Sequence, residues 1–204
     1  MAVIVRHNIM QEKNGALRRN MGSIRVFVCY MLCFAVPALL MLIVYARLGV
    51  HPFGSKSLLL IDMDTQFSDF YQGLRHMFSG RTSPLFSWHM ALGNNYWGVF
   101  TYYLSSPLSL IPILFPSAAL PDGILVMTLI KIGLCGLTFS VFARRIFHVP
   151  NAILPSLATA YALMSYNVLY AMLPMWLDTV ALLPLMALGV ELLLKDNRRL
   201  PLIG

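Results

Sequence analysis

"VFVCYMLCFAVPALLMLIVYA", residues 26 to 46, carries no charged side chain from end to end. An α-helix needs about 20 predominantly apolar residues to cross the hydrocarbon core of a bilayer, so this stretch is long enough to span one. Arg6, Lys13, Arg18, Arg19 and Arg25 stand before it. Basic residues flanking a span stay on the cytoplasmic side, which puts the N-terminus there. A cleaved signal peptide is the rival reading, because Val44-Tyr45-Ala46 loosely resembles a small-residue cleavage site. The long basic region, the full-length apolar core and the spans that follow favour an uncleaved signal anchor.

The rest of the chain has the same character. Of its 204 residues, 58% are hydrophobic and 11% charged, and the mean hydropathy is +0.72. Soluble domains hold about 45–50% apolar residues, so this chain belongs in a bilayer. A formal charge of +7 and a pI near 9.6 would suit nucleic acid only if the basic residues formed one solvated face. They sit beside apolar spans instead, and no nucleic-acid partner is expected. There is no Walker A loop, no GxSxG elbow and no dinucleotide fingerprint, which removes support for ATP-driven and Rossmann chemistry. Cys29, Cys33 and Cys135 fall within spans, where they read as small apolar packing groups and not as a disulfide framework.

Three further spans follow: Gly123 to Ala143, Ile153 to Leu173, and Thr179 to Leu194. The expected fold is all-α, a polytopic transmembrane helix bundle with four spans. Arg144 and Arg145 lie between the second and third spans, and Lys195, Arg198 and Arg199 follow the fourth. All of these clusters face the cytoplasm provided that Tyr103 to Pro116 does not cross. That stretch, "YLSSPLSLIPILFP", is short and carries Pro107, Pro112 and Pro116, so a re-entrant or interfacial segment suits it better. The chain then divides into a cytoplasmic basic tail, residues 1–25, and a membrane domain, residues 26–204, whose first external loop is 47–122. It ends at "RRLPLIG", which looks like the start of another apolar segment and suggests that the protein continues.

The external loop holds "LLLIDMDTQFSDFY", residues 58 to 71, with three aspartates in a chain poor in charge. Beyond Asp64, the residues Phe67, Phe70, Leu74, Met77 and Phe78 recur at helical spacing, which predicts an amphipathic helix on the outer leaflet. Asp64 or Thr65 would be its N-cap. Asp62 precedes that cap at the end of the apolar run, where a carboxylate can act as general base or, with Asp64, hold a divalent cation such as Mg²⁺ or Mn²⁺. Asp69 is either solvated or part of the same site. "SWHMALGNNYWGVFTYYLSSP", residues 87 to 107, is dense in aromatics, amides and hydroxyls. Rings stack on sugars and amides bond hydroxyls, although a loop set in lipid headgroups has the same composition. Trp88, Asn94, Asn95, Tyr102 and Tyr103 are its candidate binding residues. His89 has no Cys or Glu nearby at zinc-ligand spacing. Trp88, Trp97 and Trp176 all fall on the outer side, at headgroup level. Asp178 stands at the start of the fourth span on the same side, where capping is the ordinary role. Lys131 lies deep in the second span, a costly position that calls for a phosphate or a carboxylate from another helix.

Three stretches carry a family likeness: "IDMDTQFSDFYQGLRHMFSG", then "SWHMALGNNYWGVFTYYLSSPLSLIPILFP", then "YALMSYNVLYAMLPMWLDTVALLPLMALGVELLL". Together, over residues 58–194, they resemble the bacterial YfhO family of multi-spanning membrane proteins. The resemblance implies a GT-C-like glycosyltransferase architecture with its active site on the external face. It also implies a polyprenyl-phosphate-linked sugar as donor and a cell-envelope polymer, such as lipoteichoic or wall teichoic acid of Gram-positive bacteria, as acceptor. In the family pattern Asp62 goes with Gln66 and Phe67, the second acidic position is Asp69, and Trp-Leu-Asp is Trp176, Leu177 and Asp178. Phe67 stands where tyrosine is more usual. On this likeness Asp62, Asp69 and Asp178 are the catalytic candidates, Asp62 being the base. Gln66, Tyr71 and Trp176 join the binding set, and Lys131, Arg75 or Arg81 would meet the phosphate. The rival reading is a non-enzymatic transporter of lipid-linked sugars or an assembly partner in envelope synthesis. A transporter should place polar groups along a path through the bilayer near broken helices.

Overall fold

Helix α1 takes in Ala2–Leu48 as one continuous element, so the basic stretch and the first apolar span form a single helix. The computed structural model describes residues 2–88 and 92–195, with side chains from residue 23 onward. His89 lies outside the described residues. After α1 the chain builds an irregular layer at one end of the molecule, here the loop end. This layer holds a π-helical turn at Met63–Phe67, α2 (Ser68–Phe78), a two-residue ladder of β1 (Phe86–Ser87) and β2 (Asn94–Asn95), and α3 (Tyr96–Val99). Strands β1 and β2 are antiparallel, with Phe86 opposite Asn95. A second π-helical turn, Phe100–Leu104, a 3₁₀ turn, Pro107–Ser109, and α4 (Leu110–Ile113) complete it. Then come α5 (Leu120–Phe147), α6 (Leu154–Ala162), α7 (Ser165–Leu169) and α8 (Pro174–Lys195).

Among the described residues three helices are long and apolar enough to cross a membrane: Ser23–Leu48, Ser117–Phe147 and Pro174–Lys195. The expected third span, Ile153 to Leu173, is not one helix. It breaks after Ala162 and resumes as α7; the nine residues of α6 rise only about 14 Å. The cause is Asn167. Its side-chain amide donates to the carbonyls of Tyr161 (3.3 Å) and Ala162 (3.0 Å), replacing the backbone donors a continuing helix would supply.

Contacts along the helices fix their relative directions. Tyr30 stacks under Arg144, Cys33 and Pro37 abut Gly136, and Met41 and Tyr45 share a core with Leu125 and Ile132, so α1 and α5 are antiparallel. Helices α5 and α8 run parallel, because Lys131 meets Asp178 while Val141 and Arg145 share a cavity with Leu188 and Leu192. A parallel pair requires the chain between them to travel back. Residues 148–173 do so in pieces: Leu154 and Ala158 pack with Cys29 and Ala143, Ala162 with Met41 and Ile132, and Met172 and Leu173 with the loop-end core.

Two prolines explain where these helices touch. Proline has no N–H, so the carbonyl four residues earlier loses its helical donor. Pro37 thereby frees the carbonyl of Cys33, and this is the atom against which Gly136 packs. Pro184 frees the carbonyl of Val180, and the Tyr161 hydroxyl donates to it at 2.8 Å. Unsatisfied backbone groups are costly inside a bilayer, and the second contact removes one.

Phe67, Tyr71 and Leu74 form the buried stripe of the α2 region, packed with Leu104, Tyr96 and the first half of α5 (Leu120, Ile124, Met127). The amphipathic helix expected on the leaflet therefore turns its apolar face to protein, and among its apolar residues Phe78 is left exposed. The two π-helical turns meet here: the rings of Phe67 and Tyr103 lie edge to face, 5.5 Å apart. The 103–116 segment forms short turns and a four-residue helix, none long enough to span a bilayer, and Pro112 and Phe115 wedge against Gly123 at the head of α5.

Candidate functional site

Asp178 lies four residues inside α8, not at its cap, because α8 starts at Pro174. Proline suits the first helical turn, where an N–H has no partner in any case. One turn later Asp178 faces Lys131 of α5. Lys131 Nζ donates to Asp178 Oδ2 at 2.7 Å and to the Pro174 carbonyl at 2.9 Å. The lysine side chain is 1% exposed and the aspartate 25%. Of the two partners open to Lys131 from sequence, it meets the carboxylate on another helix. The other oxygen, Oδ1, accepts a hydrogen bond from Ser106 Oγ at 3.1 Å. Ser106 is held in turn as the N-cap of the 3₁₀ turn that starts at Pro107.

The exposed quarter of Asp178 opens onto a groove of about 690 Å³ between the 102–108 segment and the faces of α5 and α8. Tyr102, Tyr103, Ser105, Ser106 and Thr179 line its polar end with Asp178, and Leu134, Leu182 and Leu185 line the apolar remainder. Leu182 and Leu185 are exposed on the side of the bundle, so the groove is open laterally. Tyr71 lies in the loop-end core, outside the groove's lining. It is fully buried, its hydroxyl directed at Met127 Sδ (3.5 Å). Burial pushes that hydroxyl well above the ordinary tyrosine range, with the negative charge of Asp178 adding to the shift.

The other sequence candidates lie apart from this groove. Asp62 occupies the N-cap position of the first π-helical turn without a side-chain cap bond. Asp64, expected to be the cap, falls one residue inside the turn and is exposed; the helix begins earlier than the apolar spacing indicates, at Met63. Gln66 is half-buried. Asp69 lines a separate polar hollow of about 250 Å³ with Gln72, His76, Thr82, Ser87 and Tyr96. Arg75 is committed to structure: its guanidinium donates to the carbonyls of Pro112 and Phe115, tying α2 to the turn before α5. Arg81 is exposed.

Trp88 is exposed and leans edge-on against Phe86. Asn95 caps α3, accepting from the Gly98 N–H at 3.3 Å, and Asn94 accepts from the Asn95 N–H. Trp176 packs with Tyr166 and Tyr170 at the α7–α8 corner. Among the described residues no three His, Cys, Asp or Glu side chains converge as a cation site. Sequence reasoning did not single out Ser106 or Thr179. The Ser106-Pro107 pair, a cap followed by proline, was the available signal for the first of them.

Long apolar helices, a charge pair buried between two of them and a groove open to the side define a polytopic helical membrane protein. The family Bacterial membrane protein YfhO matches residues 33–204, and the chain belongs to it. No curated protein and no solved structure matches the chain.

Proposed function

We propose that this protein is an extracytoplasmic glycosyltransferase of GT-C-like build, taking sugar from a polyprenyl-phosphate-linked donor and transferring it to a cell-envelope polymer such as a teichoic acid. The loop end faces outward on this reading, because the basic residues Arg144, Arg145 and Lys195 gather at the opposite end. The observation that carries the reading is the lateral groove. A lipid-linked donor needs an apolar channel reached from the bilayer and a polar end for phosphate and sugar, and Leu134, Leu182 and Leu185 lead to Asp178, Ser106, Tyr102 and Tyr103.

The reading favours Asp178 over Asp62 as the base, because the groove runs past Asp178 and not past Asp62. The acceptor hydroxyl attacks the anomeric carbon and gives its proton to the Asp178 carboxylate. The bond from that carbon to the phosphate oxygen breaks, and polyprenyl phosphate leaves with the electron pair. Lys131 and Ser106 orient the carboxylate; Lys131 is too deeply buried to touch substrate, while Ser106 also lines the groove. Among the described residues no basic side chain lines the groove, so the phosphate would be met by the groove's hydroxyls or by a divalent ion.

The broken α6–α7 segment gives a transporter its one structural argument, since broken helices line many transport paths. Here, however, the carbonyls at the break are occupied by Asn167. The cleft beside α7 is lined by apolar Val168, Leu169 and Ala171, so no polar path opens there.

The test is complementation of a deletion strain with the intact gene, scored by the sugar content of purified envelope polymers at matched membrane levels of each variant. The informative variants are Asp62→Asn and the charge-neutral pair Lys131→Met with Asp178→Asn, which keeps the fold while removing the carboxylate. Loss of sugar in the pair with sugar retained in Asp62→Asn is the expected result. Full glycosylation in the pair would take Asp178 out of the chemistry, and an unchanged polymer in the deletion itself would turn the reading to transport or assembly.

A further inference from the structure

We propose that the opposite end of the bundle binds the headgroup of an anionic glycerophospholipid in a cavity between α1, α5 and α8. The cavity measures about 430 Å³ and is lined by Tyr30, Arg144, Arg145, His148, Leu188 and Leu192. That volume falls within the roughly 300–1,000 Å³ of small-molecule sites. None of these residues is acidic, and the carboxylate at that end of α8, Glu191, is engaged by Lys195 at 2.9 Å.

The basic groups there divide by role. Arg144 is fixed: its guanidinium donates to Asn151 Oδ1 at 2.7 Å and lies over the Tyr30 ring, 5.6 Å from the centroid. Arg145 and His148 are exposed and have no hydrogen-bond or ion-pair partner among the described residues. Their free donors face a hollow that Arg144 also borders. Cations in the last turn complement the helix dipole of α5, and basic residues flanking a span fix topology. Neither effect accounts for a hollow of this size, nor for its second wall. Leu188 and Leu192 continue the cavity onto the flank of α8, and Leu192 is 41% exposed. A free phosphate would use the cations alone. A phosphodiester carrying acyl chains uses both walls, with charge-assisted bonds to Arg and apolar contact along the leucines. The inference does not depend on the donor groove.

The experiment titrates the purified full chain in detergent with phosphatidylglycerol or with phosphatidylcholine of the same chains and counts bound lipid by native mass spectrometry. Phosphatidylglycerol should bind saturably and at least about tenfold more tightly than phosphatidylcholine. Arg145→Gln with His148→Asn should weaken it about tenfold, the loss expected for a charge-assisted bond at a partly wet site. Both side chains are exposed and free, and asparagine tolerates the left-handed backbone of His148 (φ 54°), so this variant keeps the fold. Lys56→Gln, at the loop end, should change nothing. Equal binding of the two lipids, unchanged binding in the double variant, or an equal loss with Lys56→Gln would each overturn the proposal. Displacement of the lipid by an equal concentration of inorganic phosphate would reassign the cavity to a free anion.

Discussion

Removing one member of the Lys131–Asp178 pair should destabilise the protein far more than removing both. At 2.7 Å and an effective dielectric constant of about 20, two unit charges attract by roughly 6 kcal/mol. Desolvation consumes much of that, so the pair contributes little net stability over an apolar replacement, while a single unpaired buried charge costs about 3–5 kcal/mol. The exposures make the two single variants unequal. Asp178→Asn strands a lysine that is 1% exposed and takes the full cost. Lys131→Met leaves an aspartate 25% exposed to the groove, which water can reach, and should cost about 1–2 kcal/mol. The pair together should return to within about 1 kcal/mol of the parent. Thermal unfolding of the purified protein reads these differences, at roughly 2–4 °C per kcal/mol for a chain of this size, so Asp178→Asn should melt about 6–20 °C lower. If Asp178→Asn melts within 1 °C of the parent, or the double variant melts no higher than Asp178→Asn alone, the pair is not the buried contact described.

Gly136→Ala should lower the melting temperature by several degrees, because its Cβ would press on the Cys33 carbonyl, which is backbone and cannot swing aside. Tyr161→Phe should cost about 1–3 kcal/mol by orphaning the Val180 carbonyl that Pro184 leaves free; Pro184→Ala in the same background should recover most of it, as a thermal melt would show. Burial holds the hydroxyls of Tyr71 and Tyr96 protonated above the ordinary tyrosine range. The folded state therefore binds these protons more tightly than the unfolded one, so their contribution is complete below about pH 10 and declines as pH rises above it. Replacing both by Phe should flatten the fall in stability measured between pH 10 and pH 12.

The long apolar runs are legible because a span announces itself by composition alone: α5 and α8 contain the stretches read from sequence with ends shifted by a few residues, and α1 contains Val26 to Ala46 inside a much longer helix. The third run, Ile153 to Leu173, does pass back along the bundle, but in broken pieces and not as one helix, which hydropathy does not capture. Ile153 to Leu173 is apolar enough, but Ser165-Tyr166-Asn167 offers a side-chain amide that competes with the backbone for carbonyls, and one such group suffices to end α6. Asp178 stands at the head of its apolar run, where capping is the ordinary role beside the catalytic one that the family likeness implies; Pro174 sets the helix start a turn earlier and places the aspartate inside the helix.

That one-turn shift is what joins the two halves of the site. Lys131 was already visible as a charge in need of a partner, but nothing in a single sequence says which carboxylate comes level with it. The partner is set by the parallel packing of α5 on α8 and by the return of residues 148–173 between them. Once Asp178 is level with Lys131, its second oxygen is left for the loop layer to reach, and Ser106, capped into place by Pro107, is the residue that reaches it. Asp62 and Asp69, equally prominent in sequence, lie on elements whose buried faces are apolar. Asp69 is exposed and Asp62 half-buried, and neither lines the groove, because the faces these elements bury are the apolar ones that make their helix recognisable.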